Sequence, residues 1–182
     1  MTDFIIIGNT NAITYKEVFP LIKEGKVRLG YKPFGGEMYF DITDEYKKEI
    51  VKEKKEGSGW KEIDGEICGR VANACWFVTF PVEKRPLTLT STYDPDKYPK
   101  YDNYDAINVD RVKDIPYDYD GVMGVPITVL TYDLENVEIM DARDYAFNDK
   151  QRNKTTGLVK DADSSIEGKP TYARILIRRK RL

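Results

Sequence analysis

The stretch FIIIGNTNAITYKEVFPLIKEGKVRL, residues 4–29, decides the fold class. Phe4, Ile5, Ile6 and Ile7 form a continuous apolar run ended by Gly8-Asn9, which reads as a strand buried on both faces, as in a parallel sheet covered by helices. Thr14 and Glu17 stand at capping-box spacing, and Tyr15, Val18, Phe19 and Ile22 recur at helical intervals. A helix is therefore expected, kinked or restarted at Pro20 and ended by Gly25. With a short strand over 27–29, the stretch makes a strand-helix-strand unit. A buried parallel strand has sheet neighbours on both sides, and this one starts at residue 4. Its partners are expected from outside the chain.

Downstream the pattern changes. Met38, Phe40 and Ile42 alternate as on a half-buried strand, and residues 44–56 read as a solvated helix whose apolar residues are Tyr46, Ile50 and Val51. Gly57-Ser58-Gly59 breaks it, and Asp64-Gly65 is a hairpin turn between strands at 60–63 and 66–68. A long strand is expected over 71–80, with Trp76-Phe77 in the core and Pro81 as its stop. Further strands are expected at 87–90, 127–130, 137–140 and 172–177, and a long polar loop over 143–170. The class is α/β with an α+β tendency: one N-terminal strand-helix-strand unit, then mostly antiparallel β and long irregular segments. Residues 1–90 form the α/β portion with its hairpin and 91–182 the remainder, in one continuous domain.

Residues 93–126 carry six tyrosines and eight aspartates, interrupted by Pro95, Pro99 and Pro116. Proline lacks the amide donor a helix needs, and so many aromatics argue against disorder. An ordered, irregular, tyrosine-faced surface is expected, and fixing such a backbone takes specific contacts. The rings could stack on unpaired bases, or bury themselves with hydroxyls bonded to neighbouring aspartates.

The 182 residues carry a net charge of −2, with 29 basic and 31 acidic side chains. The balance is local: residues 91–142 hold 4 basic and 12 acidic side chains, residues 143–182 hold 11 and 5. A polyanion would be drawn to the C-terminal part, where Arg174, Arg178 and Arg179 stand beside the alternating Ile175 and Ile177, within and before the basic run 178–181. There is no histidine, which removes Ser-His and Cys-His nucleophilic pairs and the usual zinc sets. Asp-x-Asp at 94/96 and 118/120 lacks the rest of a calcium loop, so no metal site is expected. Cys68 and Cys75 read as free thiols of a reducing cytosol; no apolar run is long enough to cross a bilayer, so a cytoplasmic protein without membrane contact is expected.

Gly8-Asn9-Thr10-Asn11 falls where an α/β sheet opens its binding crevice, at the carboxyl end of a strand. Its amides and hydroxyl suit a base edge or a phosphate; ordinary turn chemistry is the alternative. No Walker motif or dinucleotide fingerprint is present.

Four blocks, in order, carry a resemblance: IIGNTNAITYKEVFPLIKEGKVRLG at 6–30, CWF at 75–77, YPKYDNYDAINV at 98–109 continuing to DGVMGVP at 120–126, and GKPTYARILIRRK at 168–180. Together they resemble the EcoRI-type adenine-specific DNA methyltransferases. Block 80–86, FPVEKRP, departs from the more polar, His-containing turn expected there. The resemblance implies methyl transfer from S-adenosylmethionine to the exocyclic N6 of adenine, with the target nucleotide swung out of the duplex. It also implies that the catalytic Asn-Pro-Pro-Phe motif and the cofactor strand precede residue 4 in the complete enzyme. This chain contains neither, so the resemblance implies that it carries no catalytic or cofactor-binding residue, and it is expected to bind no S-adenosylmethionine alone. It resembles the C-terminal half, with the later strands of a methyltransferase-like sheet and the recognition surface. The implied partners are double-stranded DNA and a second polypeptide bearing the catalytic half. The candidate DNA contacts are Asn9, Asn11, Tyr15, Lys16, Tyr101, Asn103 and Tyr104, with Arg178 and Arg179 from the basic strand. A stand-alone non-catalytic DNA-binding module, or an inactive remnant, is the alternative.

Overall fold

The computed structural model describes residues 3–30, 34, 37–155, 157–160 and 162–180. In chain order the first half runs through β1 (Ile5–Asn9), α1 (Phe19–Lys23), β2 (Arg28–Leu29), β3 (Met38–Asp41), α2 (Asp44–Glu53), β4 (Trp60–Ile63), β5 (Glu66–Val71), β6 (Ala74–Val78) and β7 (Arg85–Pro86). The second half adds β8 (Ile107–Asn108), β9 (Met123–Pro126), β10 (Tyr132–Asp133), β11 (Val137–Ile139), α3 (Asp149–Lys154), β12 (Ser165–Ile166), β13 (Lys169–Pro170) and β14 (Arg174–Arg179).

Strand β1 corrects the first expectation. It is not a parallel strand buried on both faces but the edge of a three-stranded sheet ordered β1-β6-β2, antiparallel to β6, with Ile5 opposite Val78 and Asn9 opposite Ala74. Ile5, Ile6 and Ile7 are 58, 53 and 44% exposed. Successive strand residues point to opposite faces, so both faces of this run lie open as well as its outer edge. Four apolar residues in a row encode a demand for cover, and among the described strands β6 is the one paired with this run.

The expected capping box does not form either. The Thr14 hydroxyl donates to Asn11 O at 2.9 Å, within a 3-10 turn over Thr10–Thr14 that buries Ile13. Tyr15 is extended, and α1 starts only at Phe19, with Pro20 in its first turn, where the missing amide has no partner to lose. Gly25 then takes a positive φ of 69°, and Phe19 and Ile22 enter the core.

Residues 38–71 fold as a separate sheet, β3-β5-β4, beside α2. Thr43 caps α2 by accepting the Tyr46 amide, and the Asp64-Gly65 turn joins β4 to β5 with φ of 53° and 84°, as its sequence requires. The single strand expected over 71–80 is broken: Asn73 is left-handed, at φ 54°, and the chain passes into another sheet. Cys68 and Cys75 are therefore in different sheets, both buried and both free.

The largest sheet is ordered β11-β14-β9-β8. Central β14 is antiparallel to β11 and β9 and sends alternate residues into two cores. Ile175 and Ile177 join Met123, Val125, Phe19, Leu29 and Phe77, while Leu176 joins Tyr101, Tyr104 and Val159. The first core takes side chains from both sides of residue 90.

Other expectations shift locally. Residues 127–130 are not a strand but part of a 3-10 turn over Ile127–Thr131, with Val129 and Leu130 buried. No strand forms over 87–90; Arg85–Pro86 instead pairs in parallel with Tyr132–Asp133. The polar stretch 143–170 contains α3, capped by Asn148, and the β12-β13 hairpin. Helices are mixed with mostly antiparallel sheets, consistent with the α/β class. Among the described residues no helix is long and apolar enough to cross a membrane.

Candidate nucleic-acid interface

The carboxyl end of β1 opens onto a cavity of about 630 Å³. One wall is the turn after β1, with Thr10, Asn11, Thr14 and Tyr15; the other comes from the end of β9 and the approach to β14, with Thr128, Tyr172 and Arg174. The turn is held from below, because both the amide and the hydroxyl of Thr10 donate to Asn73 O, at 2.7 and 3.1 Å. Asn9 is occupied as a cap, its Oδ1 accepting the Asn11 amide at 2.9 Å. This leaves the Asn11 side chain exposed at the cavity and the Tyr15 ring 53% exposed beside it. Lys16 lies next along the chain, exposed, in an ion pair with Glu17 at 3.5 Å.

Opposite them stands Tyr172, the most exposed large hydrophobic side chain among the described residues at 78%. Sequence reasoning did not single it out, although it precedes the basic strand by two residues, and an aromatic beside arginines is a usable cue. Arg174 is buried in the floor: its Nε donates to Asn108 Oδ1 at 3.2 Å and its guanidinium pairs with Asp110 at 3.5 Å. It is fixed in place rather than open to the cavity.

The tyrosine run is arranged differently from the surface that was expected. Tyr98, Tyr101 and Tyr104 are buried, with hydroxyls bonded to Asp114 O, Asn108 Oδ1 and Thr155 Oγ1 at 2.7, 2.7 and 2.6 Å. Burial raises the Tyr101 and Tyr104 hydroxyls above the usual phenol range. Asn103 is half-buried and works as a bracket: its amide donates to Asp163 O at 2.6 Å and its oxygen accepts the Ser165 amide at 3.3 Å. Asp102 completes the bracket by accepting the Glu167 and Gly168 amides at 3.0 and 2.9 Å, and these bonds, Gly168 foremost, lower its carboxyl. The irregular backbone of 98–110 is thus stapled to the β12-β13 hairpin and to α3. Tyr117 remains exposed.

Arg178 and Arg179 sit farther along β14, roughly 13 and 17 Å from Arg174 at strand rise. They point to opposite faces and pair with Glu138 at 3.4 Å and Asp120 at 3.7 Å. Arg181, the last arginine of the basic run, lies outside the described residues. The structure therefore brings Asn11 and Tyr15 together at one cavity, with Asn9 and Lys16 adjacent. It places Tyr101, Asn103 and Tyr104 in internal contacts, and Arg178 and Arg179 at a separate rim.

The same cavity is a poor match for S-adenosylmethionine. Among the described residues no carboxylate lines it to accept a ribose hydroxyl, the feature a nucleoside site at such a strand end normally supplies. Among the described residues there is also no cluster of three acidic or cysteine side chains suited to a metal ion.

Known proteins extend this picture. Residues 1–180 match the family described as adenine-specific methyltransferase EcoRI. The chain is 42% identical to the type II methyltransferase M.EcoRI of Escherichia coli, over 98% of this chain and 51% of that protein. It is 30% identical to the type II methyltransferase M.MpnI of Mycoplasma pneumoniae, over 97% of this chain and 56% of that protein. A third relative, M.MgeORF184P of Mycoplasma genitalium, is 28% identical over 98% of this chain and 57% of its own length. No solved structure matches. The chain spans about half the length of the curated relatives it matches. With a family match covering almost every residue, this chain belongs to the EcoRI adenine-specific methyltransferase family.

Proposed function

We propose that this chain is the C-terminal, target-recognition-bearing portion of an S-adenosylmethionine-dependent DNA adenine N6-methyltransferase of a restriction-modification system, and that catalysis requires an amino-terminal half. The observation that carries this reading is β1. A strand that pairs on one side only among the described residues, with a row of exposed isoleucines, is a poor surface to leave in water, because it invites pairing with another strand. The sheet β1-β6-β2 would supply the later strands of a methyltransferase-like sheet, with an amino-terminal half continuing it across β1. The methyl donor would be held by that half, in keeping with the poor match of the cavity here.

On this reading Asn9, Asn11, Tyr15 and Lys16 stand at the mouth of the joined sheet, where an extruded nucleotide could reach them. Tyr101, Asn103 and Tyr104 contribute by fixing the recognition segment, and Arg178 and Arg179 offer charge at the far rim. The test joins the part of M.EcoRI that lies outside the match, amino-terminal on this reading, to residues 1–182. The chimaera is expected to methylate adenine in duplex DNA, while the isolated chain neither methylates nor binds S-adenosylmethionine. Methyl transfer by the isolated chain would overturn the reading.

A further inference from the structure

The cavity between Tyr15 and Tyr172 does not end at Thr128. A second hollow of about 460 Å³ shares Phe34, Pro126 and Thr128 with it and runs on past Arg85, Arg111 and Lys113. A third, about 180 Å³, continues past Arg111 to Lys97. The three hollows adjoin through these shared residues, and five basic side chains line the groove they outline (Arg85, Lys97, Arg111, Lys113 and the buried Arg174), with two carboxylates.

Both carboxylates are already engaged. Asp110 accepts from Asn108 Nδ2 at 2.8 Å and pairs with Arg174 at 3.5 Å. Asp114 is held by Arg111 at 2.7 Å and by Lys97 at 3.9 Å, and the Arg111 contact keeps its carboxyl below the usual range. Arg85 and Lys113 are exposed, and among the described residues neither has an ion-pair partner. Arg85 lies over the Tyr132 ring, its guanidinium carbon 4.2 Å from the centroid, a contact that leaves the N–H groups free to donate.

The placement runs against composition. Residues 91–142 hold 4 basic side chains among 12 acidic ones, yet three of those four, Lys97, Arg111 and Lys113, converge on this groove. Cations gathered in a concave surface, two of them here without an ion pair among the described residues, raise the local concentration of a polyanion.

We propose that this groove is a track for a DNA strand, with Arg85 and Lys113 as backbone phosphate contacts and Tyr15 and Tyr172 as stacking platforms at its far end. The proposal rests on the reading of the chain as part of a DNA methyltransferase and adds residues which that reading does not name. Arginine and lysine supply orientation and salt-dependent affinity, and aromatic faces accept an unpaired base of any identity.

The experiment is fluorescence anisotropy of a labelled 20-base-pair duplex with the full chain, across a salt series. Arg85→Gln with Lys113→Gln is expected to lower the slope of log affinity against log salt by about 1.8, with roughly tenfold weaker binding near 0.2 M salt. Arg85→Lys with Lys113→Arg is expected to keep the slope, and Lys48→Gln with Lys52→Gln, a charge-matched change on α2, to keep both. An equal loss in the α2 variant, or no loss in the groove variant, overturns the track. So does an absence of duplex binding by the unaltered chain at low salt. Methylation by the chimaera is independent of these outcomes, so the groove can fail while the methyltransferase reading stands.

Discussion

Tyr104→Phe removes one oxygen from the interior of the second core. The ring is 0% exposed, and its hydroxyl sits between Thr155 Oγ1 at 2.6 Å and Gln151 Nε2 at 2.7 Å. The Thr155 hydroxyl donates to Gln151 O at 3.0 Å, so Tyr104 donates to Thr155 and accepts from Gln151. Neither neighbour is orphaned by the substitution: Gln151 Nε2 keeps Asp163 O at 2.7 Å, and Thr155 keeps its donor bond. The loss is then two ordinary hydrogen bonds, about 2 kcal/mol, with no cavity because phenylalanine fills the ring's place. For a chain of this size, that is a urea midpoint lower by about 1 M at unchanged slope. The assay is urea unfolding followed by fluorescence, paired with duplex binding by the same variant. Affinity should be unaffected while the fold persists, since the ring has no surface to offer DNA. A midpoint within about 0.2 M of the parent protein, or weakened DNA binding without lost stability, would refute the assignment of Tyr104 to the interior network.

Three further outcomes are expected. Ile5→Lys with Ile7→Lys changes side chains already exposed, so stability by urea unfolding should move by about 0.5 kcal/mol or less. In the chimaera, however, the pair should abolish methylation, and full activity would show that β1 is not the docking edge. Gly124→Ala places a Cβ 2.5 Å from the Tyr101 hydroxyl in the middle of β9, an overpacking that should destabilise by about 1–3 kcal/mol in the same unfolding assay. Acid stability should follow Asp141 and Asp102. The Arg143 side chain brings the Asp141 carboxyl down to about 2, and backbone amides lower Asp102. Folded values below the unfolded ones mean that their stabilisation is complete above about pH 4 and is lost as pH falls toward 2. Asp141→Asn should flatten that limb of a pH–urea profile, and an unchanged limb would remove Asp141 from the account.

Local rules in the sequence determined much of this protein. The Asp64-Gly65 hairpin, the Thr43-capped helix α2, strand β11 and the apolar character of 4–7 follow from turn chemistry, capping and periodicity, which act within a few residues. The family blocks pointed to the methyltransferase relatives by the same linear reading. Tertiary structure alone decided the rest. An apolar run states that a strand needs cover but not which strand supplies it, so β1 read as central and stands at an edge. Tyrosine has both an apolar ring and a polar tip, so spacing could not say that Tyr101 and Tyr104 turn inward while Tyr15 and Tyr172 turn out; Asn108, Gln151 and Thr155, up to 51 positions away, settle that. The groove joining Arg85 to Lys113 is likewise invisible along the chain, because it exists only where β9 and the turns beside it bring distant charges to one surface.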